Sequence, residues 1–339
     1  MLTPSRHIGF AAATGAAPTG ITPPGIGKPD WSLKGGIFST SPDQGCTSCA
    51  GAPAIGSSSF LAPVAGGNQF WDAAARLTYA PVLTEQSLLH IGGSLRYEDP
   101  NDATAYSNNR VLQPGNTLKS EGNILNFGLL GAQPLTCVAA TLSPSTQATQ
   151  TVGGNCVKSV WNYGGEMIAA YGPFSVQGEY IGMHYDRDAA QIALTGSPGA
   201  ASINFSGYYA YATWFLTGES RSAAYLTSAN YVLPGTFGQI KILNPLSAGG
   251  WGAWELAARV SEVNLNSGGY LVQQPLGISS SIQGGSQTDF TLGLNWYPDR
   301  GVRFMFNWVD VLQLSAPYNR PALNGFHPQL FVTRAQINW

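Results

Sequence analysis

The carboxyl-terminal nine residues alternate between apolar and polar side chains. Successive side chains of an extended strand point to opposite faces, so such a segment presents one face of each kind. The apolar face comprises Phe331, Ala335, Ile337 and Trp339. The polar face comprises Arg334, Gln336 and Asn338. The pattern favours a membrane β-barrel strand between hydrocarbon and water, and the alternative is the edge strand of a soluble β-sandwich.

The same alternation, punctuated by turn-forming residues, marks twelve candidate segments and predicts ten to eleven strands among them. The clearest hairpin joins residues 289–296 to 302–308 through a tight turn at 297–301. Further strands are predicted at residues 71–79, 87–97, 160–171, 174–185, 204–216, 252–260 and 331–339, with weaker patterns at 5–12, 31–38 and 124–130. We therefore expect an all-β, antiparallel fold.

Strand length and aromatic placement both favour a transmembrane barrel. The runs are about 9 to 12 residues long, which is what a tilted strand needs to cross a bilayer. Aromatic residues lie near the run ends, as in interfacial girdles, although ordinary β-propensity would also enrich them. These aromatic residues are Trp71, Tyr79, Tyr97, Trp161, Tyr163, Tyr171, Tyr180, Trp254, Trp296 and Trp308.

The connections between strands differ in length. Residues 171–173 and 297–301 form short turns, whereas 99–122, 134–155 and 218–250 are long and rich in Gly, Ser, Thr, Asn and Gln. Short periplasmic turns and long extracellular loops are the usual arrangement of outer-membrane barrels. Since no domain boundary is evident, we expect residues 1–339 to form a single barrel domain.

The composition excludes several classes of protein. Only 10% of the 339 residues are charged, against about 25% in soluble domains, and 42 residues are glycine. A helical membrane protein would contain apolar runs of about 20 residues, and this sequence has none. The net charge of -2 does not support nucleic-acid binding. No pattern for a metal or another cofactor is present.

The four cysteines lie in sequence rich in turn-forming residues. Cys46, Cys49, Cys137 and Cys156 are expected to form two loop disulfides in an oxidising compartment. A zinc site is less favoured, because no histidine pair lies nearby at ligand spacing. The pairing of the four thiols stays open.

An enzyme is not predicted. The histidines His7, His90, His184 and His327 are scattered along the chain, and no Gly-x-Ser-x-Gly nucleophile motif follows a strand. The polar residues are therefore better suited to lining a passage than to catalysis.

Several segments resemble the phosphate-selective porin O/P family, and the resemblance covers most of the chain. The segments are Pro4–Gly9, Ala75–Pro81, Gly172–Tyr180, Tyr208–Arg221, Trp254–Ser261 and Gly293–Tyr297. The most specific are the Gly218-Glu219 pair after Trp214–Thr217 and the run Trp254–Arg259.

The resemblance implies a sixteen-stranded homotrimeric barrel in the lipid of the bacterial outer membrane, with loops that narrow the pore. It implies passive diffusion of small anions, with phosphate as a candidate solute. A non-conducting structural or assembly barrel is the alternative.

The start of the sequence departs from the family pattern. The motif Arg6–Gly9 lies well inside family members, after about five strands, and residues 1–6 lack the order of a secretory signal. We therefore expect an N-terminally incomplete barrel and an open sheet, because of an internal start, a trimmed chain or a second polypeptide that supplies the missing strands.

Strand alternation identifies cations on the polar face. Arginine forks match phosphate oxygens, and histidine can change its charge near neutral pH. The predicted pore-lining, anion-binding residues are Arg76, Arg96, Arg259, Arg303, Arg334 and His90. Alternatively, these arginines form ion pairs within the wall. The available carboxylates are Asp72, Glu255 and Asp289, together with Glu166 and Glu179.

Overall fold

Antiparallel strands dominate the computed structural model of the chain. It describes residues 8–15, 29–39, 71–99, 136–142, 149–155, 157–187, 202–229, 234–267, 282–316 and 321–338. The strands are β1 (Ile8–Gly15), β2 (Asp30–Ser39), β3 (Trp71–Leu83), β4 (Ser87–Asp99), β5 (Thr136–Leu142), β6 (Thr149–Asn155), β7 (Val157–Tyr171), β8 (Phe174–Arg187), β9 (Ser202–Phe215), β10 (Tyr225–Leu226), β11 (Thr236–Phe237), β12 (Ala253–Ser267), β13 (Ile282–Tyr297), β14 (Val302–Ser315) and β15 (Gln329–Ile337). Short 3-10 helices lie at Ser222–Ala224, Leu246–Ala248 and Pro321–Leu323.

Eleven of these strands form one sheet in the order β1-β2-β3-β4-β7-β8-β9-β12-β13-β14-β15. Each pair of neighbours is antiparallel. Among the described residues β1 and β15 each pair on one side only, so the sheet is open, as the sequence predicts. Within the same residues, no helix is long and apolar enough to cross a membrane.

One face of the sheet is apolar and exposed. The cross-strand register places large hydrophobic side chains of neighbouring strands in rows, such as Leu292 opposite Trp308 and Trp308 opposite Phe331. A surface of this extent favours contact with hydrocarbon. Its exposed members include Leu33, Ile37, Leu77, Ile91, Leu95, Met167, Val176, Leu256, Val260, Leu292, Phe306, Phe331 and Ile337.

Aromatic contacts border this apolar face at both ends. At one end, Phe174 stacks on Trp214 at 5.6 Å and Trp296 stacks on both Trp254 and Phe304. At the other end, Tyr97 contacts Trp71 and Trp161. From position 161 to position 171 of β7, a rise of about 3.3 Å per residue and a tilt of about 40° give roughly 25 Å along the barrel axis. This height matches the apolar band of a membrane barrel.

The short connections lie together at one end, which we call the short-turn rim. They join β3 to β4, β7 to β8, and β13 to β14. Thr84 closes the first by accepting the Ser87 N–H at 2.8 Å, and the second contains Gly172 at a φ of 54°. The ends of β2, β8 and β12 and the starts of β3, β9 and β13 lie at the opposite rim.

The connection 216–252 lies at the short-turn rim, so its expected position among the extracellular loops is wrong. Phe215 at the end of β9 donates its N–H to Pro173 O at 2.9 Å, and Leu246 N–H donates to Pro298 O at 2.8 Å. Strand direction alternates in an antiparallel sheet, so counting strands from the β7–β8 turn shows at which rim each connection lies. The amino-acid composition of a connection does not show its rim.

Further differences concern strand extent. The predicted loop 134–155 contains the hairpin β5–β6, which forms a separate sheet. Strands β12 and β13 extend beyond the predicted runs 252–260 and 289–296, because their outer portions carry polar residues that interrupt the alternation. The weak strand predicted at 124–130 lies outside the described residues.

The second face is polar over most of its area, and a connecting segment covers part of it. Asp72, Thr78, His90, Glu255 and Asn295 are buried there. Near the opposite rim this face becomes apolar and forms a buried cluster. The cluster comprises Val160, Tyr185, Ile203, Phe205, Leu265, Val311 and Leu314.

Candidate functional site

The connection between β9 and β12 passes across the polar face. We call the described residues 219–229 and 234–243 the crossing segment. It leaves β9, and Ser220 Oγ donates to Glu85 O at 3.0 Å in the β3–β4 turn. Farther on, Ser228 N–H donates to Asp30 Oδ2 on β2 at 2.8 Å. Because β2 and β9 are separated by β3, β4, β7 and β8, the segment bridges distant parts of the wall.

Tyr225 anchors the crossing segment to β4. Its hydroxyl lies 2.7 Å from Nδ1 of His90, which is fully buried. His90 Nε2 lies 3.2 Å from Glu166 Oε1. A carboxylate only accepts, so the imidazole donates through Nε2, and the tautomer that carries this proton accepts from the Tyr225 hydroxyl at Nδ1. Burial raises the pKa of Tyr225, and the Asp30 carboxylate adds to this, which keeps the hydroxyl protonated.

Arg76 connects the same network to the hairpin β10–β11. Its Nη2 donates to Glu166, and its Nη1 donates to Pro234 O at 3.1 Å. Gly92 leaves the space that the Glu166 side chain occupies, because a Cβ there would overlap the carboxylate. The Tyr225 ring packs in an apolar cluster on the wall. Its other members are Ala80, Leu88, Ile168 and Ala170.

Arg221 anchors the crossing segment to β12. Its guanidinium pairs with the fully buried carboxylate of Glu255, which also accepts from Asn295 Nδ2 at 2.9 Å and Tyr297 OH at 2.8 Å. Burial lowers the pKa of Arg221, but the Glu255 carboxylate together with Tyr297 and Tyr211 more than offsets this, and the pKa is raised overall. Arg221 is therefore a permanent cation whose partner is held by two further donors.

All six predicted pore-lining residues lie on the polar face, but in different surroundings. Arg76 pairs with Glu166, and Arg96 pairs with Asp72 and Glu98 at 2.7 and 3.1 Å. These two arginines therefore form ion pairs within the wall, which is the alternative that the sequence left open. His90 belongs to the Tyr225 network.

Arg259 and Arg303 contact aromatic rings on the polar face. The guanidinium of Arg259 lies 4.7 Å from the ring centroid of Tyr209, and that of Arg303 lies 5.1 Å from Tyr297. Together with Arg221, both guanidinium groups act electrostatically on the Tyr211 hydroxyl. The aromatic faces hold these cations in position.

Strands β14 and β15 carry two cations on this face, and none of the polar-face positions at which the two strands pair is acidic. Met305 is opposite Arg334, and Arg303 is opposite Gln336, so the two arginines are diagonal neighbours. The remaining polar-face positions of this pair of strands are neutral. They are Met305, Asn307, Val309, Leu330, Val332 and Gln336.

Sequence reasoning missed Arg221, Tyr225 and the tyrosines Tyr209 and Tyr211 as parts of the site. The tyrosines share the parity of the polar strand positions, which was an available signal. Arg221 and Tyr225 lie in a segment whose composition predicts an extracellular loop. Of the four cysteines, Cys137 lies in β5 and the others lie outside the described residues, so the disulfides stay a prediction.

These observations define a class of protein. An antiparallel sheet with an apolar outer face, aromatic borders and a polar face lined by arginine and tyrosine is the wall of a porin-type β-barrel. The family model of phosphate-selective porins O and P matches residues 140–339, and the chain belongs to this family.

A relative with a known name is also similar to this chain. Porin O of Pseudomonas aeruginosa is 25% identical over 243 residues, which are 69% of this chain and 46% of that protein. The matched part is therefore less than half the length of the relative. Porins are channels, which agrees with the prediction that the chain is not an enzyme.

Proposed function

We propose that the chain lines a water-filled channel of the bacterial outer membrane through which small anions, phosphate among them, diffuse passively. The carrying observation is the polar face of β14 and β15, where Arg303 and Arg334 are diagonal neighbours without an acidic residue between them. Guanidinium groups replace the hydration of an anion by directed hydrogen bonds, and their planar forks suit phosphate oxygens.

The second support is the way in which the cations are held. Arg303 lies over the Tyr297 ring, and Tyr297 itself donates to Glu255. The Nε of Arg303 is buried without a hydrogen-bond partner among the described residues. A cation held by a ring rather than a carboxylate keeps its charge available to a passing anion.

The crossing segment adds a constriction to this proposal. It lies over β2, β3, β4 and β7 on the polar face and returns to β12. A solute must pass between this segment and the cation-bearing strands β14 and β15. Location in the outer membrane and homotrimeric assembly belong to the same proposal and are supported by family membership.

The test is the reversal potential across planar bilayers that separate unequal salt concentrations. The unchanged protein is expected to favour anions. Replacement of Arg303 or Arg334 by Gln is expected to lower the anion-to-cation permeability ratio roughly two- to fivefold, an effect of about 0.4 to 1 kcal/mol. Arg303→Lys is the matched control for charge. It loses the planar fork but keeps the positive charge, so the permeability ratio is expected to stay close to that of the unchanged protein.

A non-conducting structural barrel is the second candidate. It is favoured by the anchoring of the crossing segment to both sides of the wall through Tyr225 and Arg221. Folded protein that inserts into bilayers without discrete conductance steps would support this role and overturn the channel.

A further inference from the structure

The last part of the β9–β12 connection lies on the apolar side of the wall. We call residues 243–251 the rim loop. The indole Nε1 of Trp296, an apolar-face residue stacked on Trp254, donates to Trp251 O at 2.9 Å. Gly252 follows at a φ of 73°, and a Cβ there would lie 2.9 Å from the same indole nitrogen. The chain therefore passes directly beside the aromatic border.

The rim loop exposes its apolar side chains, and its hydroxyl group is hydrogen-bonded within the protein. Leu243, Leu246 and Trp251 are 53%, 52% and 81% exposed. By contrast, Ser247 uses both its N–H and its hydroxyl to bind Asp299 at 3.0 and 2.6 Å. An exposed indole beside two exposed leucines, with the local hydroxyl satisfied internally, is unfavourable in water.

This apolar surface is continuous with the lipid-facing side of the sheet. Trp214 and Leu216, at the end of β9, are exposed on that side. Leu243 lies near Gly218, where a Cβ would be 3.9 Å from the leucine Cδ1. The rim loop thus extends the aromatic border past the ends of the strands, to the depth at which a bilayer changes from acyl chain to headgroup.

Two exposed cations lie at the same rim. Lys241 is exposed between Ile240 and Ile242, which pack against the wall. Arg300 is exposed in the β13–β14 turn, and its Nε donates to Gln239 at 2.9 Å. Apolar and aromatic anchors beside basic residues are the combination that phospholipid interfaces select.

We propose that the rim loop, with Lys241 and Arg300, is a docking site for glycerophospholipid of the leaflet at the short-turn rim. Trp251 and Leu246 contact the acyl carbons nearest the glycerol, and the two cations contact the headgroup phosphate. The proposal rests on the location of the chain in a bilayer and is independent of anion passage. One connection would then contact solute through its crossing segment and lipid through its rim loop.

The first test measures the depth of Trp251. The full chain and Trp251→Phe are reconstituted in phosphatidylcholine vesicles whose acyl chains carry bromine near either the carbonyl or the methyl end. The difference spectrum isolates Trp251, and we expect bromine near the carbonyl end to remove at least half of its emission. Trp161→Phe is the matched control, because Trp161 lies in the opposite aromatic border and should be quenched by the same lipid.

Two outcomes of this experiment overturn the proposal. Trp251 emission that brominated lipid leaves unchanged and acrylamide quenches would place the rim loop in water. Emission that neither agent quenches would place a protein surface, such as a second copy of the chain, over the loop. Circular dichroism of both variants verifies that the sheet is intact.

The second test concerns the headgroup. Native mass spectrometry of protein from mixed phosphatidylglycerol and phosphatidylcholine nanodiscs should show preferential retention of phosphatidylglycerol. Lys241→Gln and Arg300→Gln should each reduce this retention roughly fivefold. Arg334→Gln is expected to leave it unchanged, and it separates this proposal from anion selectivity. Equal retention of both lipids by the unchanged protein contradicts a headgroup site.

Discussion

The hydroxyl of Tyr225 lies 2.7 Å from Nδ1 of His90, although the two residues are 135 positions apart in the chain. His90 belongs to a strand of the wall, and Tyr225 belongs to the segment that crosses the polar face. The contact holds Tyr225 and its segment on the polar face, because the imidazole also contacts Glu166 on the neighbouring strand.

Tyr225→Phe is expected to release the crossing segment while the sheet stays folded. The substitution leaves Nδ1 of the fully buried His90 without a donor, at a cost of roughly 1 to 3 kcal/mol. Limited proteolysis should cleave within residues 219–243 faster than in the unchanged protein, and single-channel conductance should rise. Tyr79→Phe on the exposed apolar face is the control. Unchanged cleavage and conductance would show that this contact does not hold the segment.

Removal of either partner of the Arg221–Glu255 pair is expected to be strongly destabilising. Arg221→Met or Glu255→Gln leaves one buried polar group without its counter-charge, which typically costs about 3 to 5 kcal/mol. The double variant should be less destabilised than the sum of the single variants. Urea unfolding in detergent measures the cycle, and strictly additive effects would mean that the two groups do not interact.

The charge of Arg221 also sets a pH expectation. Its folded-state pKa is raised, so its contribution is present below the unfolded pKa and is lost only as pH rises through the folded value in strongly alkaline solution. The destabilisation caused by Arg221→Met should therefore stay constant across the neutral and mildly alkaline range. A decline of this effect near neutral pH would contradict a permanently charged Arg221.

Gly182→Ala is expected to destabilise the sheet at its lipid-facing surface. The Tyr163 ring lies against Gly182, and a Cβ at this position would overlap the ring. Displacement of the ring should cost about 1 to 3 kcal/mol in unfolding experiments. Gly165→Ala is the matched control, because a Cβ there meets nothing within 4 Å. Equal stability of the two variants would show that the ring moves away without cost.

Reduction of the predicted disulfides should leave the main sheet intact. Cys137 lies in the hairpin β5–β6, which forms a sheet of its own. Mass spectrometry of unreduced peptides should detect links between pairs of the four cysteines. Circular dichroism should change little on reduction. Alkylation of all four thiols without reductant would contradict both disulfides.

Strand alternation predicted which side chains share a face. Arg259 and Arg303 lie on the polar face, and Leu292 and Phe306 lie on the apolar face, as the period of two requires. This property is local, since the direction of each side chain follows from its own strand. The sequence also predicted the hairpin of β13 and β14, because its turn residues lie between two alternating runs.

Strand alternation did not predict which groups surround each polar residue. Arg76 and Arg303 have the same parity, yet one pairs with Glu166 and the other lies over the Tyr297 ring. Which carboxylate or ring comes within reach depends on the register with strands that are distant in sequence. Sequence alone could identify arginines on the polar face, but it could not separate paired cations from available ones.

The sequence by itself determined an antiparallel sheet with one apolar and one polar face, because a pattern of period two needs no tertiary information. Only the tertiary structure decided that the crossing segment lies over the polar face and that residues 243–251 return to the apolar side. The physical reason is that the path of a connecting segment depends on a few distant contacts, such as Tyr225 with His90 and Arg221 with Glu255. Such contacts leave no periodic signal in the chain.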